Sequence, residues 1–176
     1  MHILKIIHGY PLNYNAGSEV YSQSICEELS KHHKVSVFTR EENPYTLDFA
    51  VRQEKQNDNF NFYFVNNPQG KDGYRHKQLD DNFAKLTSDI KPDIAHIGHL
   101  NHLSTGLVDE LNKQKIPIVF TLHDFWLMCP TAPTFNVLFF VLFVATEINS
   151  VTIACTFVVL LSGTQLKVVF LSNASC

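Results

Sequence analysis

His123 and Asp124 follow directly on the apolar run 117–122. A histidine exposed where a buried strand ends can act near neutral pH as base, acid or hydrogen-bond donor; the alternative is a ring that only satisfies neighbouring backbone groups. Gly17 and Ser18 stand where a helix begins. Their backbone amides can meet a phosphate, with Gly17 allowing close approach, or they can form a plain turn and cap. Glu19, one residue on, reads as an ordinary complement to the helix dipole. His96, His99 and His102 recur every third residue. A strand running into a loop does not hold three such rings on one side, so no metal site is assigned, and His99 is the one expected to face a crevice. Nucleotide signatures are missing: there is no GxxxxGK[ST], and Gly9 and Gly17 are too far apart for GxGxxG. Asn66 and Asn67 occupy the place where a receiver-type phosphoacceptor would need Asp.

The elements that must position these residues alternate along the chain. Ile3, Leu4, Ile6 and Ile7 form an apolar run of the kind buried on both faces of a parallel sheet. Gly9 and Pro11 end it, and Tyr21, Ile25 and Leu29 give the following helix a stripe every fourth residue, with Ser18 as its cap. A second strand is expected over 34–39, a third over 60–65, a fourth over 93–97 and a fifth over 117–122. Residues 40–59 are polar, contain Pro44 and read as an excursion or loop. Helical spacing of Leu79, Phe83, Leu86 and Ile90 ends at Pro92, and Leu103, Leu107, Val108 and Leu111 mark a further helix. This alternation predicts an α/β fold with a doubly wound parallel sheet. If the strand order is 3-2-1-4-5, the sheet reverses direction between the first and fourth strands. Three segments, 9–18, 98–102 and 123–124, then converge on one crevice.

Composition narrows the classes. The chain has 176 residues, room for one domain and an appendage, and its net charge of −3 gives no electrostatic footprint for nucleic acid or an anionic membrane. Cys26, Cys129, Cys155 and Cys176 show no CxxC pairing, which fits a reduced, cytoplasmic setting. Of 14 basic and 17 acidic residues, only Glu147 and Lys167 lie beyond Pro130. Residues 1–130 and 131–176 are therefore read as separate units.

Three stretches carry a family resemblance. They are Ile-Leu-Lys-Ile-Ile-His-Gly-Tyr-Pro with Ala-Gly-Ser-Glu (3–11 and 16–19), Lys-Pro-Asp-Ile-Ala-His-Ile-Gly-His (91–99), and Pro-Ile-Val-Phe-Thr-Leu-His-Asp-Phe-Trp-Leu-Met-Cys-Pro (117–130). In order and spacing, residues 1–130 resemble the amino-terminal domain of family 4 glycosyltransferases, half of the two-domain Rossmann-like architecture called GT-B. The resemblance implies transfer of a sugar from a nucleotide-sugar donor to a carbohydrate or lipid-linked acceptor, with no obligatory metal or other cofactor. It makes His123 the catalytic residue, Gly17 and Ser18 the loop that approaches the donor, and His99 and Asp124 the acceptor side. The frequent Gly-Gly of the family is Ala16-Gly17 here. Its carboxyl-terminal domain supplies paired glutamates, whereas the tail here has Glu147 alone. The expectation is a domain truncated after about residue 130 and inactive by itself. A non-catalytic sugar or nucleotide binding module and a membrane-associated accessory protein are the alternatives.

The tail contains apolar runs at 135–145, 151–161 and 167–171, each too short to span a bilayer alone. It admits three readings: the product of a broken or shifted reading frame, a set of β-branched strands, or a joined membrane anchor. The change in composition at one point favours the first.

Overall fold

The computed structural model of the chain describes residues 1–11, 13–67, 74–123, 156–162 and 165–171. Strand β1 (His2–Ile6) is buried at every position. Helix α1 (Gly17–Ser30) leads to β2 (Lys34–Glu41), and β3 (Val51–Lys55) and β4 (Phe60–Asn66) follow. Helix α2 (Lys77–Ile90), β5 (Ile94–Ile97), α3 (Gly106–Lys113) and β6 (Ile118–Leu122) continue the alternation, and β7 (Thr156–Ser162) and β8 (Gln165–Leu171) are the last elements described.

The eight strands among the described residues form one sheet in the order β3-β4-β2-β1-β5-β6-β7-β8. The five strands expected from the sequence are β1, β2, β4, β5 and β6, and they lie in the expected 3-2-1-4-5 order with every contact between them parallel. β1 sits at the centre, with Leu4 opposite both Ser36 of β2 and Ala95 of β5. The two flanks are antiparallel: β3 pairs with β4, and β7 with β6 and β8.

Alternation along the strands divides the core between the two faces of the sheet. Leu4, Ile6, Phe38, Val65 and Ile97 meet Leu79 and Phe83 of α2 and Leu107 and Leu111 of α3. Ile7, Val35, Val37 and Phe60 meet Cys26 and the half-buried Leu29 of α1. The rings of Phe38 and Phe83 cross at 4.9 Å. Each such Leu or Phe, removed from water completely, contributes about 2 kcal/mol.

Four expectations need correction. Residues 40–59 are not all loop, because Val51–Lys55 pairs along β4; this edge strand is mostly exposed, so its polar sequence hid it. The fully buried line of α1 is Glu19, Ser22 and Cys26, while Tyr21, Ile25 and Leu29 flank it half-buried. Small side chains bring that helix close to the sheet, and Ser22 satisfies its hydroxyl on the Ser18 carbonyl at 2.7 Å. Ser18 does not cap the helix: the N-cap residue is Ala16, with no side-chain cap. α3 begins at Gly106, so Leu103 is a buried turn residue before it.

Candidate functional site

The crevice forms where β1 has β2 on one side and β5 on the other, because the crossovers leave these strands toward opposite faces and part the loops above them. His8 stands in the loop after β1. Its Nε2–H donates to Glu19 Oε1 at 2.9 Å, and the Ser18 hydroxyl donates to Glu19 Oε2 at 2.8 Å. Glu19 is 2% exposed. In the first turn of α1 its carboxylate also lies in the favourable field of the helix amino end.

Burial, with the neighbouring His99 as a smaller contribution, lowers the His8 pKa to about 4. The imidazole is thus neutral at physiological pH. With its proton on Nε2 facing a carboxylate, Nδ1 is left as an acceptor, buried and without a hydrogen-bond partner among the described residues. The ring of His99, delivered by the loop after β5, is 4.7 Å from that of His8. His99 Nδ1 accepts the backbone N–H of Asn101 at 2.9 Å, which assigns its ring proton to Nε2.

His123 follows β6 and meets the edge of the Tyr21 ring, centroid to centroid 5.0 Å. Tyr21 in turn lies 6.0 Å from Lys5 Nζ. Beneath these rings, His96 Nε2 accepts the Thr121 hydroxyl at 2.8 Å and faces Lys5 Nζ at 3.4 Å. Burial takes the Lys5 pKa down to about 8 and that of His96 to about 3.

Of the residues expected to act, His99 and His123 therefore reach the α1 side of the crevice with Ser18. Gly17 is the first residue of α1, and a Cβ built there would touch no protein atom within 4 Å. Asp124 lies outside the described residues, as does Glu147. Of the three periodic histidines, His96 turns to Lys5 and Thr121, His99 to His8, and His102 is exposed with φ 56°. Among the described residues no group of three His, Cys, Asp or Glu side chains gathers as a metal requires. No helix among them is long and apolar enough to cross a membrane.

Sequence reasoning missed His8 and undervalued Glu19. The signal that could have found them is a histidine just past a buried strand with a carboxylate in the first turn of the next helix. A second concavity, a groove of about 430 Å³, lies on the α1 side over β4, with Phe60, Phe62 and Phe64 along it. None of the crevice histidines lines it.

A central β1, crossovers to both faces and a crevice at the point of reversal define a Rossmann-like α/β domain. The family model for Glycosyltransferase Family 4 matches residues 15–146, most of the chain, and the match continues past Pro130. The chain belongs to that family. No curated protein matches it.

Proposed function

We propose that the crevice between the loops after β1, β5 and β6 is one wall of a sugar-transfer site. A nucleotide-sugar would there give its sugar to a carbohydrate or lipid-linked acceptor. The observation that carries this reading is the family match over residues 15–146, which spans Gly17, Ser18, His99 and His123. In this reading His123 is the catalytic residue, its ring supporting charge that develops at the anomeric carbon or orienting the acceptor. Gly17 and Ser18 approach the donor through the uncapped amino end of α1. His99 and Asp124 line the acceptor side.

The proposal treats residues 1–130 as the domain and 131–176 as an apolar tail. Glu147 and Lys167 are the tail's only charged residues, so the paired carboxylates and cations that hold a diphosphate are not supplied by it. The 176-residue chain by itself is accordingly proposed to bind without turnover. A reducing, cytoplasmic setting fits the buried free thiol of Cys26.

The test is amide and imidazole shift mapping of the chain with UDP-glucose, UDP-galactose, UDP-N-acetylglucosamine and GDP-mannose, alongside a transfer assay. Shifts at Gly17, Ser18, His99 and His123 without transfer are expected. Shifts confined to the groove along Phe62 and Phe64 would overturn the placement of the site, and robust transfer would overturn the proposed inactivity.

A further inference from the structure

We infer that Lys5 is a positioning residue of the crevice: its buried ammonium, acting across the Tyr21 ring and past His96, holds the His123 imidazole uncharged. The inference rests on the reading of the crevice as a sugar site with His123 as its catalytic residue, and assigns that residue an electrostatic partner.

The ammonium has a defined place. Lys5 lies in the central strand β1 and is 1% exposed. Its Nζ stands over the Tyr21 ring, 6.0 Å from the centroid, and that centroid is 5.0 Å from the centroid of His123, so the charge lies within 11 Å of the His123 ring. Toward β5, Nζ faces His96 Nε2 at 3.4 Å, and the Thr121 hydroxyl donates to the same nitrogen at 2.8 Å. A Cβ added to Gly98 would stand 3.1 Å from Nζ, which puts the charge directly beneath the loop after β5. No ligand touches Lys5 in this arrangement; its field crosses the rings.

Nothing around the ammonium cancels that field. Tyr21 and Cys26 of α1 and His96 of β5 face it, and β2 sets Val37 opposite Lys5. Burial pushes the Cys26 thiol up to about 12, so no thiolate is present. Burial, and then Lys5 itself, take His96 down to about 3, so this ring is neutral as well. No carboxylate among the described residues pairs with Lys5, which at a pKa of about 8 is mainly protonated at neutral pH. Tyr21 and His96 also face His123, and His123, like Lys5, opposes a charge on His96. An uncompensated unit charge at such a separation in a protein changes a proton equilibrium by about tenfold.

The protonation state bears on the chemistry. An uncharged imidazole can accept a hydrogen bond from a hydroxyl group and does not oppose positive charge growing at an anomeric carbon. An imidazolium has no free lone pair and repels that charge. Lys5 thus acts through the ring of His123 and not on a ligand.

Titration of the full chain without ligand tests the inference. Two-bond 1H–15N spectra of labelled histidine give the protonation midpoint of His123, whose signals are identified by their loss in His123→Gln. In the unaltered chain the midpoint should lie below the ordinary value of about 6.5. Lys5→Met and Lys5→Gln, which remove the charge, should each raise it by about one unit, a tenfold gain in proton affinity. The shift that the Tyr21 ring imposes on the His123 ring protons should stay the same in both variants, whereas a merely structural role for Lys5 would move it. An unchanged or lowered midpoint in the folded variants, a rise accompanied by loss of the ring shift, or an ordinary midpoint in the unaltered chain would overturn the inference while leaving the crevice reading intact. Failure of all four nucleotide-sugars to bind the unaltered chain would overturn the crevice reading and, with it, the role given to His123.

Discussion

Lys5 and His96 are register partners across β1 and β5, and the ammonium of one stands 3.4 Å from Nε2 of the other. Lys5 is 1% exposed, and the Tyr21 ring is 6.0 Å away. A cation has thus been placed at the middle of a parallel sheet beside a neutral imidazole. Such burial is destabilising unless compensated.

The first prediction concerns Lys5. Its folded-state pKa of about 8 lies below the ordinary 10.5, so between these values the unfolded chain holds a proton that the folded chain has released. Stability should therefore rise with pH across that window, by roughly 3 kcal/mol from this group. Lys5→Met should lack this contribution and be more stable than the unaltered chain at pH 7 by about 2 kcal/mol. Urea unfolding of both proteins at pH 7 and pH 10 checks it: the gap between them must narrow at the higher pH.

A second prediction lies on the acid side. Burial lowers His8 to about 4 and His96 to about 3 from an unfolded value of 6.5. Both rings are neutral in either state above pH 6.5, where their stability contribution is complete. As pH falls below 6.5 the unfolded chain takes up protons that the folded chain refuses, and stability declines toward pH 4. Together the two rings should account for roughly 3 kcal/mol of loss by pH 5, allowing for the partial exposure of His8. The doubly substituted His8→Gln, His96→Gln protein should show a shallower decline in denaturant midpoint over this interval.

Gly98 gives a third. A Cβ at this position would lie 2.9 Å from Ile7 Cδ1 and 3.1 Å from Lys5 Nζ. Gly98→Ala should destabilise by about 2 kcal/mol through overpacking and should displace His99, the next residue, from His8. Adding Ile7→Val removes the nearest atom and should restore part of the loss. Additive effects of the two substitutions in a double-mutant cycle would contradict this account.

The fourth concerns Asn66, which is fully buried at the end of β4. Its Nδ2 donates to the carbonyls of Asn43, Thr46 and Leu47 at 2.9–3.2 Å, and its Oδ1 accepts the Asn43 N–H at 2.8 Å. The amide is the clasp of the 43–47 turn. Asn66→Asp would replace the donor with an oxygen facing three carbonyls, and a loss of about 3 kcal/mol is expected by thermal or urea unfolding. A neutral outcome would mean that the turn re-forms without the clasp.

The difference between Asn66 and Lys5 shows what the sequence could reveal. The apolar runs of β1, β2, β4, β5 and β6 announced a parallel sheet because strands covered on both faces have little polar content. β3 announced nothing: Val-Arg-Gln-Glu-Lys is an edge strand whose pairing, through Arg52 opposite Phe64, is visible only in three dimensions. Lys5 interrupts an apolar run, and periodicity assigns no cost to a buried cation. At the crevice, Gly17, Ser18, His99 and His123 can be proposed from the sequence because they end strands or begin a helix. His8 was overlooked because its meaning depends on Glu19, across a proline-containing loop. Asp124 lies outside the described residues.

The central place of β1 also bears on how the chain acquires its structure while it is being made. β1 leaves the ribosome before both of its partners, and its Ile3 must pair with Val35 on one side and Ile94 on the other. At about 5–20 residues per second, the second partner follows the first by several seconds. During that interval one edge of β1 is open and carries Lys5. A charged residue on a waiting edge opposes pairing with other nascent chains, so the lysine that burdens the finished sheet would guard the unfinished one.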